Sequence, residues 1–328
     1  MCLYLTHTLL LEALYMSIRS CVNQDLSMSK KTTLQQLAGR VSSSFLCRKG
    51  RRLWEANAKH WNMPLSKWEK LLCGGYIILN DYAQGLFPPR FEDQAIAYQN
   101  EIEYNASLPD YSLAEVQKAH ATKPFWGPAD SKKYLDEFNR LYAVLQEHGI
   151  KEGQRLLELG CGSGWTAEFL ALAGYSILGT TIADHDIALA NQKVASLKCK
   201  ELYPNLTFNL QFRACPMEEV DAIPGCLNAF DAAYVYEALH HAFDWRKALQ
   251  ATARTLKNGG WLLIANEPNR LHAWISYRVA KLAKTHEIGF SKSELLHELK
   301  AIGFSDVRVL APRIDNWVAV HWILARKN

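Results

Sequence analysis

Apolar positions fall into two textures along this chain. Between Leu53 and Ile150 they recur at helical intervals. Pro64 opens one apolar segment and Leu71 to Leu79 forms another around Gly74 and Gly75. Tyr134, Leu135, Phe138, Leu141, Tyr142 and Leu145 mark one face of an amphipathic helix from about Ser131 to Gly149, with Ser131 as its N-cap and Gly149 as its stop. After Gly149, short runs rich in Leu, Ile and Val alternate with helical patterns. The expected strands are Arg155–Leu159, Ser176–Thr181, Thr207–Arg213, Asp231–Tyr236, Trp261–Asn266 and Asp306–Leu310. Helices fit between them at Trp165–Ala173, Asp186–Cys199, Trp245–Leu256 and Ser293–Ile302. Such alternation needs crossover connections, and so a mainly parallel sheet covered on both faces. A last strand over Trp317 to Leu324 is apolar on both faces.

Composition narrows the class. With 328 residues, 49% hydrophobic and 21% charged, the chain is neither disordered, collagenous nor a coiled coil. A net charge of +4 is too small to mark a nucleic-acid binder. Cys2, Cys21, Cys47, Cys73, Cys161, Cys199, Cys215 and Cys226 are scattered, with no CxxC pair. That spacing suits neither a disulfide framework nor a zinc knuckle, and points to a reduced, cytoplasmic protein. The apolar stretch Cys2 to Ile18 lacks the basic start of a signal peptide and is interrupted by His7 and Glu12. It reads as a docking helix or poorly ordered extension, with weak anchoring as the alternative and no stable membrane insertion. The cluster Arg48, Lys49, Arg51 and Arg52 reads as a solvated linker or helix face.

The chemistry concentrates at one turn. Leu156 to Leu159 runs into Gly160, Gly162 and Gly164, and a helix begins at Trp165. Glycines between a strand and a helix let a ligand approach bare main chain, and ligands of open parallel sheets bind beyond the strand ends. No phosphate-binding GxxxxGKS loop is present. The dinucleotide pattern GxGxxG fails too, because Trp165 stands at its third glycine, which leaves a nicotinamide dehydrogenase a distant reading.

Glu158-x-Gly160-x-Gly162-x-Gly164 resembles motif I of class I S-adenosylmethionine-dependent methyltransferases. Gly179 to Ala183, Phe230 to Tyr234 leading into Glu237 to His241, Trp245 to Leu249, and Arg254 to Gly260 agree in order and spacing. The resemblance covers about Lys151 to Asn328. It implies a Rossmann-like, doubly wound α/β fold: a mostly parallel seven-stranded sheet with an antiparallel last strand, preceded by a helical region. The implied division is an N-terminal extension over 1–52, a helical substrate-cap region over 53–149 and an S-adenosylmethionine-binding domain over 150–328.

The resemblance also implies site roles. Glu158, Gly160, Cys161, Gly162, Ser163 and Gly164 would pass under the methionine and ribose of S-adenosyl-L-methionine. The acidic residue that usually holds the ribose is replaced by Thr181, followed by Ile182 and, three residues on, Asp184. A hydroxyl offers a weaker contact than a carboxylate. Met217 and Glu218 fall in the adenine segment, where Met217 is a stacking surface or plain core filler. Tyr236 and Glu237 end the fourth strand, facing the reactive methyl. Methyl transfer, to an O, N or C acceptor alike, is an in-line displacement that asks the protein to position the acceptor, exclude water and, for a hydroxyl acceptor, remove a proton. His240 and His241 are the candidate bases, with Glu237 beside them. Glu237-x-x-His240-His241 also resembles the acidic-histidine motif of metal-assisted O-methyltransferases of ubiquinone biosynthesis; those carry an acid where His240 stands, so no metal ligand is assigned and a metal-assisted O-methyltransferase stays an alternative. Trp126, Asn266 and Trp274 are the candidates for binding a small-molecule acceptor, and no nucleic acid is expected as partner. A non-catalytic S-adenosylmethionine-binding module stays open beside the methyltransferase, kept alive by Thr181 and Cys215.

Overall fold

The computed structural model describes residues 28–57, 65–87, 93–106, 113–197, 209–310, 313–315 and 318–328. Pro64, Trp317 and the Cys2 to Ile18 stretch lie outside them. The chain divides into two compact units. One comprises residues up to Gln94 together with Ala273–Lys284, and the other comprises Ala95–His272 together with Thr285–Asn328. The divide near Gln94 puts the helices between it and Gly149 with the sheet.

The larger unit is built on strands β1 (Arg155–Leu159), β2 (Ser176–Thr181), β3 (Asn209–Ala214), β4 (Phe230–Tyr236), β5 (Leu256–Pro268), β6 (Phe304–Val309), β7 (Arg313–Asp315) and β8 (Val318–Lys327). Their order is β3-β2-β1-β4-β5-β8-β6, with the three-residue β7 pairing only β8. The first five pair in parallel, while β8 runs antiparallel to both β5 and β6. This is the Rossmann-like arrangement expected from the strand–helix alternation. The central strands β1, β2 and β4 are buried on both faces, because consecutive residues of a strand point to opposite sides and nearly all of theirs are shielded. Leu157, Val235, Leu262 and Ile323 enter one core layer with Leu249 and Leu295. Their neighbours Leu156, Tyr234, Leu263 and Trp322 enter the other with Leu141 and Leu170.

The helices of this region are α4 (Gln94–Ala106), α5 (Leu113–Thr122), α6 (Pro128–Glu147), α7 (Trp165–Leu172), α8 (Asp184–Leu197), α9 (Trp245–Thr255) and α11 (Lys292–Ile302). The helix expected from Ser131 starts earlier, with Gly127 at its N-cap and Pro128 in the first turn. Proline is preset for that position and has no N–H to leave unpaired. Strand β5 overruns its expected span at both ends, and β7 is too short to leave a periodic signal.

The smaller unit holds α1 (Met28–Ser43), α2 (Arg48–Asn57), α3 (Lys67–Ala83) and the Ala273-onward part of α10 (Leu271–Ala283). Ser66 and Glu69 form a reciprocal capping box that starts α3. The apolar run Leu71 to Leu79 lies within it, and Leu79 and Tyr82 pack with Ala38 and Cys47. Buried Asp81 accepts from the Tyr277 hydroxyl at 3.1 Å and pairs with Lys281 at 2.5 Å. Gly74 and Gly75 allow this approach: a Cβ on Gly74 would lie 1.7 Å from the Trp274 carbonyl oxygen. Backbone cannot yield as a side chain can. Gly74→Ala is therefore expected to destabilise this unit by about 1–3 kcal/mol, read as a lower urea midpoint. An unchanged midpoint would mean that α3 and α10 do not pack this closely.

Candidate active site

Strand β1 delivers the chain to Gly160, whose φ of +66° disfavours other residues. A Cβ there would lie 2.5 Å from Ala238 Cβ and 2.7 Å from Met217 Cε, so the main chain is bare where the pocket meets it. The Cys161 N–H donates to the Thr180 carbonyl at 2.8 Å, tying the turn to β2. Gly160, Cys161, Gly162 and Ser163 all line the pocket, as do Thr181, Ile182 and Met217. Gly164 does not: a Cβ on it would strike the Phe212 ring at 2.4 Å, so it serves packing and opens α7.

Two carboxylates border the turn. Glu158 is 3% exposed, accepts from the Thr166 hydroxyl, and leaves Oε2 without a partner among the described residues. Burial pushes its pKa up to about 7, the Thr166 contact offsetting this only in part. Asp186, on the first turn of α8, reaches the pocket in place of the expected Asp184. Its buried Oδ1 has no hydrogen-bond partner among the described residues and lies 3.5 Å from His120 Nδ1 and 3.7 Å from His185 Nε2. It places a carboxylate on the same pocket wall as Thr181. Lys123 also lines the pocket; burial lowers its pKa against the pull of Glu237.

The adjacent histidines separate. Glu267, fully buried at the end of β5, accepts from the main-chain N–H of Ala238 and Leu239 at 2.8 Å and of His240 at 3.2 Å. Its Oε2 also lies 2.9 Å from His240 Nδ1. Burial, with the charges of His241 and His272, drives the His240 pKa well down. His241 instead lines the pocket, with Nδ1 3.3 Å from Glu101 Oε2 and 3.9 Å from Glu287 Oε1. Burial opposes its charge, but Glu287, Glu101 and Glu267 outweigh it and raise its pKa to about 10. His241 is therefore an imidazolium at neutral pH, and Glu101 stands beside it on the pocket wall.

Tyr236 and Glu237 also line the pocket. The Tyr236 hydroxyl is spent on Glu137, and Glu237 is held at φ +50° with Asn266 Nδ2 donating to it at 2.5 Å. Besides Gly164, five sequence candidates fall elsewhere. Glu218 is a buried bracket off the pocket wall, accepting from the Tyr98 hydroxyl and from the Asp244 N–H at 2.8 Å. His240 is turned to Glu267, as described above. Asn266 is buried behind Glu237. Trp126 is 45% exposed and off the pocket wall. Trp274 belongs to the smaller unit, packed on Gly74 and Gly75. Sequence reasoning missed Tyr98, Glu101 and Asn105 on α4, and Lys123 and Asp186. Only the helical period of α4 was visible, and it carries no sign of a partner in a distant strand.

Among the described residues, two groups offer metal-ligand atoms within 4.8 Å of one another: His240, His241 and Glu287, and His120, His185 and Asp186. In the first, His240 Nδ1 is already engaged by Glu267.

Comparison with known proteins agrees with this geometry. Residues 157–264 match a family model described as a methyltransferase domain. The chain is 30% identical over 156 residues to the ubiquinone biosynthesis O-methyltransferase of Bordetella pertussis, covering 46% of this chain and 60% of that relative. To the protein of the same name from Chromobacterium violaceum it is 26% identical over 236 residues, 65% of this chain and 96% of the relative. The match thus spans about 60% of the length of the first relative. The phosphoethanolamine N-methyltransferase 2 of Haemonchus contortus, solved with S-adenosyl-L-methionine, shares the fold at a TM-score of 0.50 and 16% identity, over 69% of this chain and 59% of that one.

The bare cradle at Gly160 and the unpartnered oxygens of Glu158 and Asp186 fit a cationic nucleoside. Gly160→Val is expected to abolish S-adenosylmethionine binding in calorimetric titration while the fold persists by circular dichroism; retained affinity would exclude the turn as its cradle. The Glu158 shift sets a pH dependence. A cationic ligand favours the ionised carboxylate, so binding should release protons and tighten as pH rises through about 7. Identical binding heats at pH 7 in buffers of different ionisation enthalpy, or the same pH profile in Glu158→Gln, would count against this. Motif, strand order and matched segment coincide on the same residues: residues 157–264 carry a methyltransferase domain on a Rossmann-like sheet.

Proposed function

We propose that this chain is an enzyme that transfers the methyl group of S-adenosyl-L-methionine to a hydroxyl of a small-molecule acceptor. The observation that carries this reading is the pairing of Glu101 with His241 on the wall of the pocket that holds the glycine turn. When bound, the cofactor supplies a carbon already activated by a sulfonium. Glu158, the Gly160 to Ser163 turn, Thr181, Ile182, Met217 and Asp186 hold and orient it. Glu101 takes the acceptor proton, and the His241 imidazolium balances the charge left on oxygen. Their contact keeps both in place before the acceptor arrives, so little reorganisation accompanies displacement.

A hydroxyl acceptor is supported by the relatives named ubiquinone biosynthesis O-methyltransferase. No described helix is long and apolar enough to cross a membrane. The free thiols of Cys47, Cys73, Cys161, Cys215 and Cys226 support a reducing, cytoplasmic compartment.

Incubation of the protein with a metabolite extract and deuteromethyl cofactor should yield a methylated product by mass spectrometry. With that acceptor, Glu101→Gln and His241→Asn are each expected to lower kcat about 100-fold or more and to leave cofactor affinity near the parent value. Full turnover in Glu101→Gln would remove it from the proton-taking role. Binding without labelled product across diverse extracts would favour a non-catalytic module.

A further inference from the structure

Between Asp25 and Glu55 the chain carries seven basic residues and no acidic one, more positive charge than its whole net of +4. Among the described residues, this segment folds as α1, a short turn over Phe45–Cys47, and α2. The turn exposes apolar side chains. Phe45 is 73% exposed and Leu46 50%, while Cys47 next to them is buried. Leu37 on α1 is 43% exposed, one turn from exposed Arg40.

The charges are arranged around that turn. Gly50 is the buried position of α2; a Cβ on it would lie 2.2 Å from the Leu72 carbonyl oxygen. Arg48 and Arg52, each two residues from Gly50, therefore share the opposite, solvent face. The Arg48 guanidinium sits 4.3 Å over the Phe45 ring, placing charge and apolar tip together. Lys49 flanks them and is exposed. Arg51, on the other flank, reaches Glu55 at a loose 3.9 Å.

A solvated helix face needs charge, but it has no use for an exposed aromatic and leucine at the apex of the turn. A polyanion such as duplex DNA would use the arginines and leave Phe45 and Leu46 idle. An anionic bilayer uses both: lipid headgroups pair with the guanidinium groups while the apolar tip enters the acyl boundary. We propose that Phe45 and Leu46, with Arg48 over the Phe45 ring and the exposed Arg40, Lys49 and Arg52 on the flanking helices, form a peripheral docking surface for anionic phospholipid membranes. This inference is independent of the methyl-transfer reading, since it concerns the smaller unit alone.

The test is co-sedimentation of the full chain with vesicles of phosphatidylcholine mixed with phosphatidylglycerol, against phosphatidylcholine alone. Preferential binding to the anionic vesicles is expected, lost as ionic strength rises from about 0.1 M to about 1 M. Arg48→Glu with Arg52→Glu, and separately Phe45→Ser with Leu46→Ser, should each reduce binding at least about tenfold. Arg48→Lys with Arg52→Lys should retain it, with circular dichroism unchanged throughout. The apolar Cys2 to Ile18 stretch remains in every variant, so parental binding by both altered pairs would assign any membrane contact to it and overturn the proposal. Equal binding to neutral vesicles would overturn it as well. So would capture by a duplex oligonucleotide that depends on the arginines, with vesicle binding indifferent to Phe45 and Leu46.

Discussion

The Glu267 carboxylate is the constraint on which the site rests. It lies at the far end of β5, shut away from water, and closes the short turn that follows β4. Three successive main-chain N–H groups point at it, as they point at an anion at the start of a helix. Without it those donors would be buried and unsatisfied, each at a cost of about 1–3 kcal/mol. The bracket also sets positions. It holds Ala238 where a side chain on Gly160 would strike it, which defines the floor of the cofactor pocket. It fixes His240 inward, and the geometry of the turn then leaves His241 facing the pocket.

The parallel sheet was legible because it is written locally. A strand buried on both faces is a nearly continuous apolar run, and Leu156, Leu157 and Leu159 of β1 and Ile177 and Leu178 of β2 mark theirs. The glycine turn was legible for a similar reason: positive φ and close approach admit few residues, so the requirement shows in the letters. Glu158 follows from its place two residues before Gly160.

What stayed hidden depends on distance along the chain. Glu101 meets His241 across 140 positions of sequence spacing, and the Tyr98 hydroxyl meets Glu218 across 120. On α4 these residues read only as polar positions of a helix. Glu218 shows the converse error. Its position after β3 suggested a ligand contact, yet Tyr98 and Asp244 already occupy both of its oxygens. Asp186 was displaced by one helical step from where a reading of spacing put the acid: α8 begins at Asp184, and the side chain two residues on is the one that turns inward.

The histidine pair carries the argument furthest. His240 and His241 differ by one position, the first buried and the second half-buried on the pocket wall, and lie with ring centroids 4.1 Å apart. Their charges nonetheless oppose. His240 faces a carboxylate already satisfied by three N–H groups, so little of its field remains to hold a proton, and burial next to an imidazolium keeps the ring neutral. His241 faces Glu287 and Glu101, whose combined pull exceeds the same burial. Two imidazoliums this close would repel, so charging the second ring discharges the first. The turn therefore presents one fixed positive charge to the pocket and keeps the other ring as a hydrogen-bonding strut. Which histidine takes which part follows from the carboxylate that each one meets.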